Sequence, residues 1–151
     1  MKLTRRQALS FSTGAIAFTL AGMRIGPAFA NAEDTSAAVQ AFSGGAEPQS
    51  GMMTLKAPEI AENGNTVPVS VSVESPMTAD DYVESVAIYA EGNPNPEVVV
   101  FNFTPMSGEA SATTRMRLAK TQNVVAVAKT STGKVYIDKR EVKVTIGGCG
   151  G

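Results

Sequence analysis

The 151-residue chain has no histidine and no tryptophan, and it has one cysteine, Cys149. Each of these absences removes a class of chemistry. A zinc or blue-copper centre needs several imidazole or thiolate ligands on one ion, so neither type can be built here. Haem attachment through CxxCH is equally impossible. A Ser–His or Cys–His nucleophile pair has no imidazole to take the proton, which removes the common hydrolases. A single Cys cannot close an internal disulfide, so the hydrophobic core must hold the fold alone, which is feasible at about 120 residues. No metal ligand set, cofactor site or catalytic residue is therefore expected.

What is present is ordinary for one globular domain: 43% hydrophobic and 18% charged residues. The first 30 residues stand apart. Paired Arg5 and Arg6 lead into an apolar, Gly/Ala-rich run from Ala8 to Gly22, and Ala28-Phe29-Ala30 offers small residues at the −3 and −1 positions of a signal-peptidase site. Thr4-Arg5-Arg6-Gln7-Ala8-Leu9 resembles the twin-arginine export signal, with Ala8 in place of the usual Phe. Residues 1–30 are thus expected to be a twin-arginine signal peptide, and no membrane contact is expected after its cleavage. Removing them leaves 121 residues, in which nine basic side chains face 14 acidic ones, a net charge of −5. Such a domain has no basic face for phosphates, so nucleic acid is excluded as a partner.

Asp34-Thr35-Ser36 offers cap oxygens ahead of Ala37–Phe42, and Gly44-Gly45 stops that run, predicting a short helix. Period-two alternation then recurs over 66–73, 83–89, 98–103, 110–118, 124–129 and 135–146, with a weaker signal near 53–57. Turn-forming residues separate these stretches, among them Glu91-Gly92-Asn93-Pro94-Asn95-Pro96 and Ser131-Thr132-Gly133. Six or seven short strands and no long helical pattern predict an all-β domain over residues 31–146, an immunoglobulin-like antiparallel β-sandwich.

After Ile146 the chain ends Gly147-Gly148-Cys149-Gly150-Gly151. Glycine has the greatest backbone freedom and no side chain to pack, so residues 147–151 are expected to form a flexible arm. Measured from Ile146, such an arm carries the sulfur roughly 10 Å from the body. No Lys or Arg lies within the tail, so the thiol is expected to titrate near or above the free value of about 8.5, and an alkylation midpoint well below about 7 would contradict this. Cys149 is then a handle whose activation is left to another protein. Terminal Gly-Gly also resembles ubiquitin-like thiocarboxylate carriers, but neither an export signal nor the Cys fits those. An alternative of a different class is a secreted β-sandwich interaction module whose terminal thiol forms intermolecular disulfides.

A twin-arginine signal, a β-sandwich body and a terminal GGCGG together resemble the SoxY family of periplasmic thiosulfate oxidation. The resemblance implies a substrate carrier rather than an enzyme, with the substrate attached covalently to Cys149 as an S-thiosulfonate. It makes Gly147, Gly148, Gly150 and Gly151 the swinging arm. It implies a heterodimer partner of the SoxZ type, a c-type cytochrome coupling enzyme, a sulfate-releasing hydrolase and, in some organisms, a sulfane dehydrogenase. Periplasmic localisation after export in the folded state follows from the same resemblance.

Overall fold

The computed structural model describes residues 31–148. Helix α1 (Ala32–Ser43) is followed by eight strands: β1 (Met53–Lys56), β2 (Ile60–Asn63), β3 (Val67–Val73), β4 (Val83–Ala90), β5 (Glu97–Asn102), β6 (Ala110–Met116), β7 (Gln122–Thr130) and β8 (Val135–Ile146). A short 3-10 turn, Pro105–Ser107, precedes β6. The strands form a three-stranded sheet, β1-β3-β6, and a five-stranded sheet, β2-β8-β7-β4-β5.

The core between the sheets follows from the alternation. Val67, Val69, Val71 and Val73 of β3 share it with Val86, Ile88 and Ala90 of β4 and with Val124, Ala126 and Ala128 of β7. The intervening residues of the central strands are also covered. Ala87, Tyr89, Val125 and Val127 pack with Val39 and Phe42 of α1 on the outer face of the five-stranded sheet. The molecule therefore has three layers, and β4 and β7 read as nearly continuous apolar runs because both their faces are dry.

The helix starts five residues earlier than the sequence pattern predicts. Asn31 is its N-cap: the Asn31 side chain accepts hydrogen bonds from the Glu33 and Asp34 N–H groups, and the Asp34 carboxylate accepts one from the Asn31 N–H. This reciprocal capping box satisfies three otherwise unpaired donors. The buried stripe of α1 is Thr35, Val39 and Ser43, spaced by four; two of these are polar, so apolar periodicity does not mark the first turn.

Strand β2 has no counterpart in the alternation of the sequence. Its burial pattern is inverted for an amphipathic strand, with Ile60 63% exposed and only Ala61 buried. It pairs parallel to the last residues of β8, Ile60 with Lys143 and Asn63 with Ile146, whereas the other strand pairs described are antiparallel. β8 is long because it has two successive partners. Residues Val135–Val142 pair with β7, and beyond the end of β7 the strand continues along β2. Between the sheets, the Asp138 carboxylate of β8 accepts from the Leu55 N–H of β1 at 2.8 Å, and Arg140 Nε donates to the Leu55 carbonyl at 3.2 Å. This pair of contacts caps the free edge of the smaller sheet.

Candidate functional site

Cys149, Gly150, Gly151 and the signal-like residues 1–30 lie outside the described residues. What the structure does place is the root of the C-terminal tail, Gly147 and Gly148, and the residues around it.

The end of β8 is held on both sides. On one side β2 pairs with it through Asn63 and Ile146. On the other, Val144 N–H donates to Thr121 Oγ1 at 2.9 Å. The chain then meets two loops. One is the turn Gly64-Asn65-Thr66, which takes the chain from β2 in the larger sheet to β3 in the smaller. Asn63 Oδ1 accepts from Asn65 N–H there at 2.9 Å, closing an Asx turn. The other is the segment Arg117–Thr121 between β6 and β7.

Three backbone hydrogen bonds tie these pieces into a ring. Gly64 N–H donates to Ile146 C=O at 2.8 Å, Leu118 N–H donates to Gly64 C=O at 2.8 Å, and Gly148 N–H donates to Leu118 C=O at 2.9 Å. Glycine is demanded here by space. A methyl group on Gly64 would fall on the Leu118 carbonyl oxygen and 2.7 Å from the Gly148 nitrogen. One on Gly147 would fall on the Ala119 carbonyl oxygen, and one on Gly148 would sit 2.6 Å from the Gly64 carbonyl oxygen. None of the three has the left-handed backbone found at Gly44, Gly45, Gly51, Gly108 and Gly133. Gly147 is exposed, whereas Gly148 and Gly64 are buried.

The β6–β7 segment is itself braced by a buried amide pair. Asn93 Nδ2 donates to Arg117 C=O at 2.8 Å, and Asn93 Oδ1 accepts from Ala119 N–H at 3.0 Å and from Gln122 Nε2 at 2.9 Å. Gln122 Oε1 in turn accepts from Gly92 N–H at 2.6 Å, and Gln122 Nε2 also donates to Lys120 C=O. Both residues are buried. Buried amides with every group satisfied fix a loop in one conformation. Thus Asn93 and Gln122 set the positions of the Leu118 and Ala119 carbonyls that face the tail.

Sequence reasoning finds Gly147 and Gly148 but not Gly64, Asn93 or Gln122. Gly64 stands in Asn63-Gly64-Asn65, a turn signal that gives no hint of what packs on it. Asn93 lies in a Gly/Asn/Pro-rich stretch and reads as turn material. Asn93 also lines an open cleft of about 250 Å³ with Asn95, Glu97, Val98, Arg115, Met116 and Arg117.

The family model described as "Sulfur oxidation protein SoxY" matches residues 39–149, a span that includes Cys149 itself. Among solved structures, the sulfur carrier protein SoxY from Chlorobium limicola f thiosulfatophilum is 38% identical, with 77% of this chain and all of that one covered at a TM-score of 0.63. A singly substituted superoxide reductase (neelaredoxin) from Ignicoccus hospitalis is 26% identical over 62% of this chain and 79% of that chain, at a TM-score of 0.56. The unsubstituted protein of that name aligns at 21% identity over 81% of this chain and 99% of that one, at a TM-score of 0.55, which shows a shared fold. No curated protein sequence matches the chain. With a family model spanning 111 of its 151 residues and a SoxY structure covered from end to end, the chain belongs to the SoxY family of sulfur oxidation proteins.

Proposed function

We propose that this protein is a covalent carrier of sulfur intermediates in thiosulfate oxidation, with Cys149 as the attachment point. The observation that carries the reading is the SoxY match running through Cys149 in a chain that has no other cysteine. The likeness to a protein described as a sulfur carrier supports it.

The chemistry is that of a thiolate supplied with partners. The Cys149 thiolate and thiosulfate join in a new S–S bond, giving the cysteine S-thiosulfonate and releasing two electrons to a c-type cytochrome coupling enzyme. Water then attacks the terminal sulfonate sulfur. Sulfate leaves, two protons are released, and a persulfide anion remains on Cys149. In systems that have a sulfane dehydrogenase, that remaining sulfur is oxidised further. This chain contributes a sulfur atom on a narrow stem, and the redox and hydrolytic machinery belongs to the enzymes it visits. Gly147, Gly148, Gly150 and Gly151 give the stem its clearance, since no side chain flanks the sulfur.

In this reading residues 1–30 are a twin-arginine signal and the folded chain works in the periplasm, docked to a SoxZ-type partner. Ala28-Phe29-Ala30 supports a mature start at Asn31, because it offers the small residues a signal peptidase accepts at −3 and −1. The test is reconstitution with thiosulfate and the coupling cytochrome. Cys149→Ser is expected to abolish thiosulfate-dependent cytochrome reduction while leaving the fold and partner binding intact. Full activity in that variant would refute the reading.

A further inference from the structure

The ring of hydrogen bonds at the root of the tail has a mechanical consequence. Residues 147 and 148, which the carrier reading assigns to a swinging arm, are seated against the body, and the seat is made by the absence of a side chain at Gly64. We infer that Gly64 is a positioning residue that latches the carrier arm, and that the latch must open for Cys149 to reach its full extension. The inference rests on the carrier reading of Cys149.

Three observations converge on Gly64. Its N–H and C=O are both used in the ring, toward Ile146 and Leu118. Its missing Cβ leaves the volume in which the Gly148 nitrogen lies, 2.7 Å from where that carbon would stand. The relation is reciprocal, because a Cβ on Gly148 would lie 2.6 Å from the Gly64 oxygen. Nothing in the backbone requires glycine at 64, since its φ is not left-handed, so close approach alone accounts for it. By contrast Gly133 has φ +81° and open space around it, which is glycine used for a turn.

Held in this way, Gly147 and Gly148 add nothing to the reach of the residues that follow them. Releasing Gly147 and Gly148 adds two residues of stem, roughly 7 Å. That length is available to the sulfur only when the latch is open. The latch is therefore the closed member of a two-state element, and an enzyme that takes the extended arm binds only the open fraction. Its apparent affinity is reduced by that fraction.

The test uses the mature chain and two variants that remove the seat from opposite sides, Gly64→Ala and Gly147→Ala, the second lying beyond the last strand and so outside the sheets. Gly133→Ala is the control for general destabilisation. The first measurement is amide hydrogen exchange at Gly148. The wild type is expected to be protected relative to an unstructured peptide. Both arm variants are expected to lose that protection by about tenfold, the worth of about one backbone hydrogen bond, while Gly133→Ala keeps it. The second is steady-state loading with thiosulfate and the coupling cytochrome. Opening the latch in Gly64→Ala, which leaves the stem itself unaltered, is expected to lower KM for the carrier roughly three- to tenfold, with kcat unchanged. Gly147→Ala is read by exchange alone, because its methyl stands on the stem.

A role confined to stability cannot lower KM in this way. Exchange at Gly148 at the peptide rate in the wild type, or protection kept in both arm variants, would overturn the latch. So would a KM that stays level or rises in a folded Gly64→Ala. Failure of the wild type to load thiosulfate would instead refute the carrier reading, and the exchange result would still decide whether the seat exists.

Discussion

Replacing Asn93 tests how the loop that faces the tail is held. Asn93→Ala removes three hydrogen bonds at once, to Arg117 C=O, Ala119 N–H and Gln122 Nε2. Each is worth about 0.5–1.5 kcal/mol net, and the backbone groups left behind in a buried site add to the loss, so a cost of about 2–4 kcal/mol is expected. For a domain of this size that corresponds to roughly 10 °C in Tm. Urea unfolding is the assay: the midpoint falls and the m-value stays constant. Asn93→Asp separates hydrogen bonding from shape. The isosteric carboxylate keeps the acceptor for Ala119 and Gln122 but turns an oxygen toward Arg117 C=O. Burial and that repulsion raise its pKa in the folded state above the unfolded value of about 3.9. The folded state then binds more protons than the unfolded one in the window above about 3.9. Stability in that window falls as pH rises, and acidification narrows the gap to wild type. A loss below about 0.5 kcal/mol for Asn93→Ala, or a pH-independent gap for Asn93→Asp, would refute the account of the brace.

Three further outcomes follow from the fold. Asp138→Ala leaves the Leu55 N–H without its acceptor and removes the carboxylate 3.5 Å from Arg140, so unfolding experiments are expected to show a loss of about 1–3 kcal/mol. Thr35 Oγ1 is buried with no hydrogen-bond partner among the described residues, so Thr35→Val is expected to be neutral or stabilising by up to about 1 kcal/mol, and a clear destabilisation in a thermal melt would point to an unseen partner. Burial, and next the nearby charge of Glu97, raises the Tyr89 phenol above its ordinary 10.0. Its contribution is present below about 10 and is lost as pH climbs through the folded value, so Tyr89→Phe is expected to flatten the alkaline fall in stability.

The strands that build the core were legible because their alternation is regular: Val67–Val73 lies within one residue of the stretch the pattern marks, and β4 and β8 are bounded nearly as expected. What escaped has specific causes. β2 exposes its Ile and hides its Ala, so no periodicity announces it, and its parallel pairing depends on the far end of the chain. The first turn of α1 buries Thr35 and is fixed by the Asn31–Asp34 cap, a pairing of two polar residues. At the tail, the composition spoke only of freedom. Glycines 147 and 148 are instead fitted to carbonyls contributed by residues 64, 118 and 119, long-range neighbours that no local pattern contains. Cys149 stands out in the sequence as the candidate handle, a solitary thiol amid four glycines, and lies outside the described residues.

The central claim is that sulfur is carried on Cys149, and intact-mass analysis of the mature chain tests it most directly. After incubation with thiosulfate and the coupling cytochrome, the wild type is expected to gain one thiosulfonate adduct that a reductant removes and that fragmentation places on the C-terminal peptide. Cys149→Ser is expected to stay at its unmodified mass. An adduct that persists in Cys149→Ser, or a wild type that stays unmodified beside an active coupling enzyme, would contradict the account.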